Sequence, residues 1–256
     1  MEWPPGMPLV ELALEVTADG RPWLPVSVDD NPPVPFLLQA SAGAIALTGA
    51  RAAGFGPVGA GSLTLRRELL PGIDGGLLIK QRRLALGALV LGDQSLLLVD
   101  SAHWPHGQPR GGPAGVIGHD LFRRFVVELD TAAGRLALYR PGGRDVAGMS
   151  DSQRLAVLDR VPYFEAWLES GSMDGRWVRL QLEPADPVGI CLDEDPRRGI
   201  ITIAGRRFEV AEAPCAPAGS PRRQAARDGI LGAAALAELV VALDYEGGRI
   251  GFAVRD

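Results

Sequence analysis

An internal repeat constrains this chain more than any other feature. The segment "GVIGHDLFRRFVVELDTAAGRLALY", starting at Gly115, aligns without a gap with "GILGAAALAELVVALDYEGGRIGFA", starting at Gly229. Gly115/Gly229, Gly118/Gly232, Val126/Val240, Val127/Val241, Leu129/Leu243, Asp130/Asp244, Gly134/Gly248 and Arg135/Arg249 are identical. Each copy reads as a short apolar strand ending in glycine, a short helix, and two alternating strands around a turn. The turns open on Asp and close near Gly, as tight hairpins prefer. Upstream, Val34, Phe36 and Leu38 alternate up to Gln39, and Val178, Leu180 and Leu182 alternate in the same phase up to Glu183. Units this long are duplicated domains, not the short repeats of a solenoid. The expected architecture is mostly all-β, with two duplicated β-barrel lobes carrying short helices, residues 1–148 and 149–256. The helices are expected after Gly118 and Gly232, with Phe122 and Leu236 packing inward.

Composition narrows the partners. The net charge of −5 argues against nucleic acid, whose binding is dominated by phosphate neutralisation. The basic residues are nearly all arginine, Lys80 being the single lysine. No apolar run reaches the length of about 18 residues that a spanning helix needs. The first residues, "MEWPPGMPLVELALEV", show neither a basic n-region nor an apolar h-region. The expected compartment is therefore periplasmic if a leader was removed and cytoplasmic otherwise. Cys191 and Cys215 do not make a disulfide framework; one bridge is open to them, but two buried thiols are expected.

The order strand, polar turn, small-residue strand, then apolar-apolar-Gly, helix and hairpin resembles the pepsin/retropepsin-like aspartic protease family. The resemblance includes its bilobal pepsin-like and bacterial aspartyl protease-like members. It rests on "FLLQASAG" with "GVIGHDLF" in the first half, and on "LQLEPADP" with "GILGAAAL" in the second. It implies a bilobal pepsin-like acid-protease fold with one active-site turn per lobe. In that family each turn carries Asp, a hydroxyl residue and Gly, and the two aspartates share a proton while activating a water. Here the aspartate positions hold Gln39 and Glu183. Glutamine does not titrate, and glutamate is one methylene too long. The flanking residues have become Ala40-Ser41 and Pro184-Ala185. Both turns are rewritten, so the dyad is degenerate and no catalytic residue is intact.

Other chemistry is weaker. His103, His106 and His119 lack the spacing of a helical zinc pair and read as surface-loop residues; no metal or other cofactor is expected. Asp193 to Asp195 reads as an exposed acidic turn, and Asp186 as a turn cap. Ser41 lies in no nucleophile motif. The arm "LTLRRELLPGIDGGLLIKQRRLAL", residues 63–86, places Arg66, Arg67, Lys80, Arg82 and Arg83 on a hairpin around Pro71–Gly76. The resemblance puts the cleft's flap there. A solvated face explains the cations, and recognition of an acidic ligand is the alternative.

These features lead to a catalytically inactive homologue that binds a peptide or protein partner in the inter-lobe cleft or acts as a scaffold. A hydrolase with residual or altered peptidase activity using Glu183 is the alternative. A structural subunit with a closed cleft, binding through an outer face, is a third reading. Oligomeric state is not legible in the chain.

Overall fold

The computed structural model describes residues 1–49, 63–65, 76–100, 104, 112–170, 175–193, 199–215 and 227–255. These form a mostly β, two-lobed protein. Three sheets organise it. An eight-stranded sheet is built from the first half of the chain, from Glu15–Val16 through Gly115–Ile117. A seven-stranded sheet is built from the second half, from Ala156–Leu158 through Gly229–Gly232. A six-stranded sheet takes strands from both.

The shared sheet shows the duplication directly. Its order is Leu9–Ala13, Arg135–Tyr139, Val126–Asp130, Leu239–Asp244, Arg249–Val254, Asp151–Arg154. At its centre Val127 pairs with Leu243, Glu128 with Ala242, and Leu129 with Val241. That register exchanges equivalent positions of the repeat, as a local two-fold axis between Glu128 and Ala242 requires.

The repeat's identical residues are explained by the same contacts in each copy. Asp130 Oδ1 accepts the Ala133 N–H at 2.9 Å, and Asp244 Oδ1 accepts the Gly247 N–H at 2.9 Å. Gly134 and Gly248 close these hairpins at φ of 62° and 60°, where a side chain is strained. The helices His119–Phe122 and Ala233–Leu236 follow Gly118 and Gly232, and they bury Phe122 and Leu236. The apolar core is continuous across the lobes: Phe36, Phe122, Phe164 and Phe252 belong to one cluster. Phe164 meets Phe252 with ring centroids 5.0 Å apart.

Several expectations change. Cys191 and Cys215 are not two thiols but one disulfide, with Cα atoms 5.1 Å apart. Ala211 N–H donates to Ile190 O and Cys215 N–H to Leu192 O, which brings the returning chain within bridging distance. Distance along the chain hid this proximity. The arm around residues 63–86 also pairs differently in its second half. Leu63–Leu65 does pair with Gly76–Leu78, residues 66–75 lying outside the described set. The long partner of Gly76–Leu86, however, is Leu89–Val99 across the Gly87-Ala88 turn. Among the described residues no helix is long and apolar enough to cross a membrane.

Candidate functional site

The turns that begin at Gln39 and Glu183 sit at matching places. The strand Val34–Leu38 runs parallel to Gly115–Ile117 with Phe36 opposite Gly115, and Arg176–Glu183 runs parallel to Gly229–Gly232 with Leu180 opposite Gly229. Gln39 and Glu183 each come three residues after those partners. Each is followed by the same backbone turn: Ala42 N–H donates to Gln39 O at 3.0 Å, and Asp186 N–H to Glu183 O at 3.1 Å. The helices seal the turns identically, since His119 N–H donates to Ala42 O and Ala233 N–H to Asp186 O. The packing leaves no room for a side chain on the sealing glycines. A Cβ on Gly118 would overlap the Gln39 carbonyl oxygen, and one on Gly232 would lie 2.5 Å from Val188 O and 2.7 Å from Asp186 O.

Side chains make the turns unlike. The extra methylene of Glu183 carries its carboxylate across the lobe boundary. Oε1 accepts the Ala40 N–H at 3.0 Å, and Oε2 accepts the Ser41 N–H at 3.1 Å. From its own lobe the carboxylate also accepts Ala185 N–H on Oε1 and Gln181 Nε2 on Oε2, both at 3.2 Å. These four N–H donors, with the Ser41 hydroxyl beside them, converge on a group that offers about four lone-pair sites. Pro184, at the position matching Ala40, has no N–H to offer Gln39, and Gln39 Nε2 donates to Ser41 Oγ at 3.2 Å. Both floor residues are buried.

A buried ion pair supports the floor from the C-terminal lobe. Arg227 Nε donates to Asp193 Oδ2 at 2.7 Å and Nη1 to Gln181 Oε1 at 2.7 Å. The pair's side chains are 4% and 2% exposed. Gln181 thus links the guanidinium to Glu183. Asp193 belongs to this network and not to an exposed acidic turn; Glu194 and Asp195 lie outside the described residues. Gln181 and Arg227 had no sequence motif, and only their polarity amid apolar strands hinted at a buried role.

His119 likewise is not a surface-loop residue. It opens the helix His119–Phe122, and its ring lies 5.8 Å from that of Tyr245 in the other lobe. Burial pushes its pKa down, and its buried Nδ1 has no hydrogen-bond partner. Burial pushes the Tyr245 hydroxyl up, with the charge of Glu183 adding to the effect. Arg160, beside them, donates from Nη1 to Gly43 O across the boundary at 2.7 Å. For Glu183 burial raises the carboxyl pKa, opposed by the Ser41 hydroxyl and then by the backbone donors of Ala185, Ser41 and Ala40.

The remaining candidates sit elsewhere. Asp186 Oδ1 accepts the Val188 N–H and holds the turn. Arg82 Nη1 pairs with Asp29 Oδ2 at 2.9 Å, and Arg83 Nη1 with Asp30 Oδ1 at 2.8 Å, so two of the hairpin's cations are offset within their own lobe. Lys80 is exposed. Arg66, Arg67, His103 and His106 lie outside the described residues. Among the described residues no group of three or more His, Cys, Asp or Glu side chains is arranged to hold a metal ion.

The comparison with solved structures is informative about the fold. The aspartic proteinase from Irpex lacteus superposes with a TM-score of 0.62 over 97% of this chain and 98% of its own, at 10% sequence identity. The fold is that of an aspartic proteinase. No family model matches the sequence, and no curated protein matches it either. At 10% identity the shared property is the architecture.

Proposed function

We propose that this chain is a catalytically inactive protein of the aspartic-proteinase type that keeps the inter-lobe groove for binding an extended polypeptide. The observation that carries this reading is the state of Glu183. Aspartic-type hydrolysis needs two carboxyls sharing a proton and polarising a water. This floor has one carboxyl, and its oxygens are taken by Ala40, Ser41, Ala185 and Gln181 donors. Opposite it stands an amide that cannot titrate. The rise in the Glu183 pKa is the one feature that favours a residual acid catalyst. It has no partner base at position 39 to act with, so the inactive reading is stronger.

Extended-peptide binding between lobes relies on backbone hydrogen bonds, as in strand addition, and does not need the dyad. That capacity survives loss of the chemistry. Because Arg82 and Arg83 are already paired with Asp29 and Asp30, the backbone and not the hairpin's charge is the better source of affinity. The C-terminal-lobe disulfide favours an oxidising compartment.

The test is cleavage of unfolded casein from about pH 3 to pH 7, with and without a statine-type inhibitor. No inhibitor-sensitive cleavage is expected, and such cleavage at any pH would overturn the reading. A peptide array then asks for binding without turnover; a deletion of residues 68–79 that leaves all binding intact would move the partner to an outer face.

A further inference from the structure

We infer that the Ala40–Ser41 turn is a carboxylate receptor whose resident ligand is Glu183, and that an incoming peptide carboxylate binds there by exchange. This rests on the groove-binding reading and names the chemistry of its ligand. The four N–H donors divide evenly between the lobes, and the Ser41 hydroxyl adds to the set from the first lobe. Ala40 N–H and Ser41 N–H come from one lobe, whereas Ala185 N–H and Gln181 Nε2 come from the lobe that carries Glu183. If Glu183 withdraws, it keeps its own two donors, and Gln181 stays anchored by Arg227. Exchange therefore gives up only the contacts with Ala40 and Ser41 and keeps those with Ala185 and Gln181.

What the withdrawal leaves is specific. Two adjacent amides, each within 3.1 Å of a different oxygen of one carboxylate, match the spacing of a single carboxyl group. Left empty in a buried floor, such donors are costly, so they favour any anion of that shape. The other turn has no comparable receptor, because Pro184 replaces one donor and Ala185 N–H already serves Glu183. The ligand's carboxylate is thus received on one side only, which fixes the polarity of the bound peptide. A C-terminal carboxylate or an acidic side chain both present the required group.

The test uses Glu183→Ala in the full chain, with formate as the smallest carboxylate and chloride at equal ionic strength as the control. At formate tenfold above its Kd, Tm should exceed that in chloride by about 3 to 6 °C and the rise should saturate. The amide resonances of Ala40 and Ser41 should shift with the same midpoint. Wild type should respond to formate in the same direction but more weakly, because formate must first displace Glu183. Ala40→Pro in the Glu183→Ala background removes one donor at a position whose counterpart already holds proline, and it should abolish the formate response. Equal effects of the two salts on Glu183→Ala, or an undiminished response after Ala40→Pro, would overturn the inference. If Glu183→Ala is unfolded in chloride, folding in formate supports it and failure to fold in either salt overturns it. No peptide enters this experiment, so its failure leaves the groove reading standing, and a failed peptide array leaves the receptor standing.

Discussion

The floor turns at Gln39–Ser41 and Glu183–Ala185 share a backbone and share almost nothing else. Each returns an N–H to the carbonyl of its first residue, and each is closed by the first N–H of a short helix. One turn supplies two amides and a neutral side chain; the other supplies an anion and a proline. In a symmetric active site the two would carry like groups, held apart in pKa by their mutual repulsion. Here they are complementary, donor against acceptor. The difference teaches that a duplicated scaffold constrains backbone path far more tightly than side-chain chemistry.

The largest effects are expected where that shared backbone is broken. Gly118→Val and Gly232→Val each drive a side chain into turn carbonyls, and both should cost more than about 3 kcal/mol. Loss of soluble, cooperatively melting protein checks this, and Gly118 should be the less tolerant because its Cβ meets the Gln39 carbonyl most closely. A tolerated valine at either site would mean that the helix and turn are not in register.

Removing support from beneath one turn sharpens the comparison. Arg227→Met leaves Asp193 buried without its cation and should destabilise by roughly 3–5 kcal/mol, read by urea unfolding. No comparable change is expected at the first turn, where Gln39 bonds to a hydroxyl.

Truncating the two floor residues themselves tests their asymmetry. Glu183→Ala strands the donors that meet its carboxyl and should cost about 2–4 kcal/mol, whereas Gln39→Ala should cost nearer 1 kcal/mol. Equal losses would show that Glu183 contributes no more than an ordinary polar contact.

The smallest effect is in pH. Burial raises the folded Glu183 pKa above its ordinary value of 4.5, so the folded state holds this proton more tightly than the unfolded chain. The group's contribution to stability is then fully present below about pH 4.5 and declines as pH rises towards the folded value. Glu183→Gln should flatten the urea-derived stability profile in that window. Gln39→Glu should steepen it, because a second carboxyl repels the first and raises the folded pKa further. For His119, whose folded pKa is lowered from 6.5, stability falls on acidification below that value, and His119→Gln isolates this opposing slope.

Most of the architecture was legible because duplication prints equivalent residues twice. The G-x-x-G segments, the Asp-to-Gly hairpins and the floor positions each appear in both halves, and each matches a local requirement: a close backbone approach, a positive φ, or a side chain accepting a nearby N–H. Such demands act over a few residues, so sequence alone records them. The equivalence of positions 39 and 183 was visible for the same reason.

Tertiary structure decided the rest. Cys191 meets Cys215, Arg227 meets Asp193, Arg82 meets Asp29, and Glu183 meets Ala40 and Ser41 only after distant strands have been brought together. The sequence by itself determined that there would be two like lobes with equivalent turns after Leu38 and Leu182. That the facing groups would be a carboxylate and two amides in contact depended on the lobes' docking, because a side chain reaching across a boundary obeys no spacing along the chain.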